Sequence, residues 1–496
     1  MGVHVPSVCL AGLALYLVAR LFWRRSVPLP PGPSGWPLIG NLLDFPTYAP
    51  YKTLGTMSAK YGPMTSLKVM GTQYVVLNSF KVTKDLLEKK NAVTSNRPAF
   101  TMASDLVGWG DSTGFLQYGD TYRKHRKFFH QQIGSKSSLE AFYPAEEAEA
   151  KQFIRNVLKS PDDLSAHARR MAGSVILKIS HGYSVKENGD PLVEMANRAM
   201  RNIAVVTSPG RFLVDLLPML RHLPDWFPGC RFLKDAKRWR QMVGEVVNTP
   251  HQFVLEHLAK GDAVPSFTSR LLQEGVTPED EEILKWASFS MYLGGSDTTT
   301  STLCAFFLAM TMYPEIFKKA QAEVDAVIGH ERLPTMHDRE ALPYMNAMCK
   351  ELLRWNVVVP LAMHVTTQDE TYDGYLIPKG SFLLGNIWYI LSDPGTYPDP
   401  DVFDPERFLG ENQQHDPREA CFGWGRRICP GAYLAEISIF ICVATALATL
   451  DVSRCIENGV ACVPRYEVEE GIIRYLKPFK SRIVLRSKKA EVLLHA

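Results

Sequence analysis

The sequence predicts a mainly α-helical protein with small β-sheets, and three observations carry that prediction. The stretch "TPEDEEILKWASFSMYLGGSDTTTSTLCAFFLAMTMYPE" has a capped start and a proline stop, and it suits one helix over about 278–312. Strand signals are confined to short runs: "MTSLKVMGTQYVVLNS" from Met64, "DETYDGYLIPKGSFLLGN" from Asp369, and "SRIVLRS" near the C-terminus. Beyond residue 41, no Pro/Gly/Ser-rich linker and no internal repeat divides the 496-residue chain, so one large body is expected.

Composition excludes several classes. Lys and Arg exceed Asp and Glu by only 55 − 52 = 3, and no basic tail is present, so a nucleic-acid partner is not expected. Nine cysteines (Cys9, Cys230, Cys304, Cys349, Cys421, Cys429, Cys442, Cys455 and Cys462) are scattered singly, with no CxxC pair. That pattern argues against a zinc site or a disulfide scaffold and for reduced thiols.

The elements follow in chain order. Val5 to Ala19 is an uncharged apolar run, interrupted by Arg20, continued by "LFW" and closed by Arg24 and Arg25. If Arg20 snorkels, Val5 to Trp23 gives roughly the span a bilayer needs. The positive charge follows the apolar run, so residues 1–25 are expected to be a single-pass signal anchor with the remaining chain cytosolic. A signal peptide or an amphipathic surface helix is the alternative. Residues 26–41, including "PLPPGPSGWPLIGN", are expected to form a stiff proline-rich hinge. Residues 42–496 then form the globular body.

In the long helix, Thr277 is the expected N-cap, Pro278 suits the first position, and acids face the positive end of the dipole. Its apolar middle predicts burial. Gly294 and Gly295 interrupt that middle at about 1 kcal/mol each relative to Ala, which leaves room for something to lie against the helix. The "YDGY" and "IPKGSF" stretches predict turns.

The most informative segment is "FGWGRRICPG", Phe422 to Gly431. Gly423 and Gly425 can take positive φ, and Gly431 lets the backbone approach a flat ligand. Arg427 is a fixed cation suited to a carboxylate, and Phe422 offers an apolar wall. A helix begins at Ala432, so Cys429 lies just before its N-terminus, a place that lowers a thiol pKa.

The pattern F-x-x-G-x-R-x-C-x-G is matched at Phe422, Gly425, Arg427, Cys429 and Gly431, and here the chain resembles the cytochromes P-450. The resemblance implies that fold, with haem b between the long helix and the cysteine loop, and Cys429 as the axial thiolate of its iron. It makes residues 42–496 a haem-thiolate catalytic domain. "GGSDTT" resembles the family's A/G-G-x-D/E-T-T/S motif and implies Asp297 and Thr298 as an acid–alcohol pair feeding protons to the reaction. The structural alternative is a packing notch whose hydroxyls bond back to their own helix.

"KELLRW" and "DPERF" supply Glu351, Arg354 and Arg407, which the resemblance places in a buried network behind the haem. "GDTYRKHRKFF" resembles the family's W-x-x-x-R helix, with Tyr122 in place of Trp and Arg126 in register. Arg126, Arg427 and His364 are implied at the haem propionates. Arg123, Lys124 and Lys127 form a basic patch for an acidic reductase, or a solvated helix face. The expected substrate pocket draws on Ala99 to Asp111, on Met291, Tyr292, Gly295 and Thr299, on Val357 to Met363 (Val358 and Leu361 among them), and on "EGIIRY" from Glu470.

The resemblance implies a monooxygenase of the endoplasmic reticulum membrane that inserts one oxygen atom from O2 into a lipophilic molecule. Electrons would come from NADPH through cytochrome P-450 reductase, with cytochrome b5 as a second donor, since no G-x-G-x-x-G fingerprint follows a strand here. "LPDWFPG" and "YPDPDVFDPERFLG" look like fungal members, and a terpenoid of secondary metabolism is the expected substrate. An aromatic or indole-type metabolite, or a sterol, is the alternative.

Overall fold

The axis of the fold is the helix over Pro278–Met312, with the bounds its capping predicts. Thr277 accepts the Asp280 N–H at 3.2 Å, Pro278 opens the helix, and Glu279, Asp280 and Glu281 occupy its first turn. The computed structural model describes residue 12 and residues 27–496, except 188, 209 and 458. The predicted signal anchor over 1–25 therefore lies, Gly12 aside, outside the described residues.

Six helices frame the candidate site: α1 (Asp120–Ile133), α2 (Tyr143–Lys159), α3 (Leu164–His181), α4 (Pro278–Met312), α5 (Pro343–Trp355) and α6 (Ala432–Thr449). The axis, α4, makes its most extensive contact with α3 and also packs on α1 and α6. Helix α6 is long and apolar enough to cross a membrane, but 72% of it is buried within the protein, chiefly against α2 and α4. It is a core helix, and its apolar surface is what buries it.

The main sheet has the order β1 (Met64–Val69), β2 (Thr72–Leu77), β4 (Phe382–Asn386) and β3 (Leu361–Val365). Strand β4 runs parallel to β2, with Tyr74 opposite Phe382, and antiparallel to β3. The "YDGY" turn forms as expected: Asp373 and Gly374 take φ of 51° and 77°, and they join Glu370–Tyr372 to Tyr375–Ile377. Near the C-terminus come β5 (Leu450–Ser453), β6 (Cys455–Glu457), β7 (Val460–Cys462) and β8 (Arg482–Leu485); β5 pairs with β8, and β6 with β7.

The proline-rich segment differs from the expected spacer. Pro30 and Pro31 offer their carbonyls to Ser66 at 2.6 and 2.8 Å, and Gly40 bridges to Val69. Prolines lack an N–H but accept freely, so the segment covers β1 and belongs to the body.

One buried carboxyl sets a pH dependence for this core. Glu146 on α2 is fully buried, and the Ser438 hydroxyl of α6 donates to both its oxygens, at 2.9 and 3.1 Å. Burial pushes its pKa from 4.5 up to about 8; Ser438 opposes this and the Glu149 charge adds to it. The folded protein thus keeps a proton that the unfolded chain has released. This contribution to stability is full below 4.5 and lost as pH rises through about 8. Glu146→Gln is expected to flatten that decline, raising Tm at pH 9 much more than at pH 5. Parallel melts of the two proteins over pH 5–9 would refute the assignment.

Candidate active site

Glycines shape the cysteine loop as predicted, for two separate reasons. Gly423 and Gly425 take φ of 76° and 59°, the left-handed region that glycine favours. A Cβ on Gly425 would also lie 2.3 Å from the Leu87 carbonyl oxygen, so no larger residue fits. The loop closes with the Cys429 N–H donating to the Phe422 carbonyl at 2.8 Å. Arg126 on α1 donates to the Ile428 carbonyl at 2.6 Å, fixing the residue before the sulfur.

Cys429 is exposed, yet burial dominates the chemistry of its thiol. Both hold for a sulfur that faces an internal hollow, where open surface is surrounded by protein. Its place before α6 predicts a lowered pKa; instead burial pushes it up, and the Gly431 N–H and the Arg126 charge offset this only in part. A Cβ on Gly431 would meet nothing within 4 Å, so the loop has free space in front of it.

Cations gather beside this loop. Arg427 donates to the carbonyls of Ser95 and Leu116, both at 2.7 Å, and lies 3.8 Å from the Tyr122 ring centroid. Tyr122, expected at the propionates in place of tryptophan, donates instead to the Arg426 carbonyl at 2.8 Å, so its hydroxyl holds the loop backbone. His364 on β3 is buried and bonded through Nδ1 to the Thr94 carbonyl at 2.7 Å. Burial, then the charge of Arg97, holds its pKa well below the usual value, so it is neutral.

Arg97 itself is a member that sequence reasoning missed. It donates to the Met363 carbonyl, and burial, then Arg427, lowers its pKa to about 10. Among the described residues, Arg97, Arg126 and Arg427 have no carboxylate partner. Three guanidiniums held this close without an anion call for one, and the two carboxylates of a haem fit. The only sequence signal for Arg97 is "RP": the following proline holds Arg97 extended, and Asn96 bridges to Val365 of β3.

The glycine pair of α4 divides its work. A Cβ on Gly294 would meet nothing within 4 Å, so this glycine opens a face, as predicted. A Cβ on Gly295 would lie 2.5 Å from Ile176 of α3, so this glycine admits a neighbouring helix and is no pocket residue. Met291 and Tyr292 also leave the expected pocket. Both are buried, and Tyr292 Oη would stand 3.1 Å from a Cβ on Gly173 of α3. Thr299 is buried as well. The open face carries Leu293, Gly294 and Thr298 instead, because side chains advance about 100° per residue.

The same geometry separates the predicted acid–alcohol pair. Thr298 is partly open and donates to the Gly294 carbonyl at 2.7 Å, the back-bonding alternative. Asp297 is buried and turned to α3, with Arg169 Nε 3.3 Å from its carboxylate. Tyr475 lies beside it, its phenol pushed up by burial and then by the Asp297 charge.

Glu351, Arg354 and Arg407 do meet. Arg354 contacts both Glu351 oxygens at 2.7 Å, and Arg407 Nε lies 3.4 Å from the same carboxylate. Their side chains are 0–4% exposed. The pocket walls are tied together too. Thr113 N–H donates to Ser290 of α4 at 3.0 Å, and Ser301 donates to the Arg474 carbonyl at 2.8 Å. Arg474 N–H reaches the Val358 carbonyl at 2.9 Å. Val358, Leu361 and Met363 are partly open, and Ile472 is 37% exposed.

The chain matches the cytochrome P-450 family model over residues 30–465. Among curated proteins it is 45% identical to cytochrome P-450 monooxygenase 208 of Postia placenta, covering 98% of this chain and 97% of that one. It is 41% identical to cytochrome P-450 monooxygenase claR of Ampulloclitocybe clavipes, covering 99% and 93%. Against the multifunctional cytochrome P-450 monooxygenase af510 of Aspergillus fumigatus, identity is 37% over 97% and 93%. A cysteine presented by a glycine-shaped loop, arginines beside it with no carboxylate partner among the described residues, an opened central helix and full-length likeness to fungal monooxygenases agree, and the chain belongs to the cytochrome P-450 family.

Proposed function

We propose that this monooxygenase hydroxylates a lipophilic small molecule, a terpenoid of fungal secondary metabolism, at the endoplasmic reticulum membrane. The carrying observation is the open face of α4 at Gly294 and Thr298. The partly open side chains of the tied pocket walls (Leu293, Val358, Leu361, Met363 and Ile472) carry no charge. These side chains offer no countercharge to an ionic substrate, whereas burying an apolar one is favourable at about 25 cal/mol per Å².

Haem b, when bound, supplies the activation of O2, with electrons from NADPH through a separate reductase. The chain's own residues do the rest. Cys429 would hold the iron, and Arg97, Arg126 and Arg427 the carboxylates. Thr298 donates backwards to its helix, which leaves its oxygen free to accept a hydrogen bond at the open face. Arg169, whose side chain is 31% exposed, would hold the Asp297 carboxylate at the side of the helix that leads to the exterior.

Exposed apolar side chains favour a membrane setting. Trp36, Leu38, Leu43 and Tyr48 follow the predicted anchor, and Leu213, Met219 and Trp226 form a second apolar group. For reductase docking, Arg123 and Lys124 are already paired with Asp120 and Asp280, which leaves Lys127 and Arg426 as the exposed cations near the loop.

The test is an optical titration of the haem-loaded protein with sesquiterpenes, triterpenoids, sterols and indoles. A saturable shift of the Soret band toward high spin with one terpenoid class is expected. A response to indoles alone would replace the terpenoid reading with the aromatic one.

A further inference from the structure

Two cysteines that stand seven residues apart in sequence face one another in the fold. Strands β6 and β7 pair antiparallel with Cys455 directly opposite Cys462, Ile456 opposite Ala461 and Glu457 opposite Val460. Directly opposed residues share one face, with Cα atoms about 4.5–5.5 Å apart. A disulfide needs about 4.4–6.8 Å between Cα atoms, and directly opposed strand positions fall within that range. Both are free and only partly buried, hence reachable by small molecules.

Lys480 pairs with Glu457, which stands two residues from Cys455 on the same face of its strand. Elsewhere burial pushes Cys304 and Cys349 up to about 12, and Arg169 and Arg339 offset this only in part.

We propose that Cys455 and Cys462 form a peroxide-responsive dithiol that closes to a cross-strand disulfide. One thiolate attacks hydrogen peroxide, the O–O bond breaks, and the sulfur becomes a sulfenic acid as hydroxide leaves and is protonated to water. The second thiol then attacks that sulfur, forms the S–S bond and expels the oxygen as a second water. In sum, two thiols and one peroxide give one disulfide and two waters, and an external dithiol reverses the change. The oxidant is at hand, because two-electron reduction of O2 that misses the substrate yields hydrogen peroxide.

The bond would staple an element that needs it. Three-residue strands paired as a lone hairpin are marginal in water. The hairpin starts at Arg454, which donates to the Met312 carbonyl at 2.8 Å and to Thr311 at 3.4 Å, at the C-terminus of α4. Closing it would fix a strap against the end of the helix that spans the active site. Ile456 and Val460, 72% and 68% exposed, would be held in the paired form.

Trypsin cuts after Arg454 and Arg465, so both cysteines fall in one peptide, "CIENGVACVPR". Haem-loaded, full-length protein treated with excess hydrogen peroxide, then denatured and alkylated, should give that peptide two hydrogens lighter and unalkylated. Dithiothreitol should restore both alkylations. Cys455→Ser should leave Cys462 as a sulfenic acid trapped by dimedone. Phenylarsine oxide, which requires two adjacent sulfurs, should protect both thiols without any oxidation. Full alkylation after peroxide, oxidation of either cysteine to a sulfonic acid in place of the bond, or failure of the arsenical to protect would each overturn the proposal.

Discussion

Cys429→Ser is expected to abolish the thiolate character of the haem spectrum and to lower turnover by orders of magnitude, with little cost to folding. The asymmetry follows from where the side chain sits. Its sulfur faces open space, while the loop is held by backbone contacts that serine keeps: Cys429 N–H to Phe422 and Arg126 to Ile428. Haem uptake should weaken but persist, because Arg97, Arg126 and Arg427 still offer their charges. What is lost is the soft anionic ligand that pushes electron density onto iron and favours O–O cleavage. The check is the absorption of the ferrous carbon monoxide complex, with melting and turnover measured on the same preparation. An unchanged spectrum would mean that another group ligates the iron. Cys442→Ser provides the contrast: its sulfur is buried 3.8 Å from Met171 on α3, so stability should fall while the spectrum stays.

What the sequence disclosed and what it withheld divide along a physical line. Loop chemistry was legible because a local backbone imposes it. Gly423 and Gly425 need positive φ, and the caps of α4 set its ends, whatever else surrounds them. The face to which a side chain points was not legible. Gly294 and Gly295 look alike in sequence, yet one opens toward the hollow and the other receives Ile176, because α3 lies on only one side of α4. The expected pocket includes Tyr292 and Met291 for the same reason, and burial against the core corrects both. Arg97 and the Cys455–Cys462 pair were hidden because neither belongs to a spaced motif; strand register and chain return bring them to their partners.

The thiol of Cys429 shows how such local rules are overridden. A helix N-terminus lowers a thiol pKa, and the Gly431 N–H acts in that direction. Burial outweighs it. The cation cluster, the open face of α4 and the loop each make sense only together with the anionic, iron-bearing group that the family carries.

Glu351→Gln is expected to produce the second large effect, and this one falls on the fold. The substitution keeps the shape and removes the charge. It leaves Arg354 and Arg407, with side chains 1% and 4% exposed, facing a neutral amide. Burial raises the Glu351 pKa, while Arg354, the Asp404 N–H and Arg407 oppose that rise, so the carboxylate and its guanidiniums depend on one another. Removing one partner of a buried pair costs roughly 3–5 kcal/mol, a large share of the about 5–15 kcal/mol that holds a domain folded. The loss would spread along the chain, because Arg354 also donates to Leu391 and Val402, and Arg407 to Asp399 at 2.8 Å. Those carbonyls belong to the segment leading into the cysteine loop, so haem retention should fall together with the urea midpoint. Replacing both members, as in Glu351→Gln with Arg354→Met, removes one unpaired charge again and should cost less than the sum of the single changes. Additive losses, or a cost below about 1 kcal/mol for Glu351→Gln alone, would show that the three side chains do not act as one network.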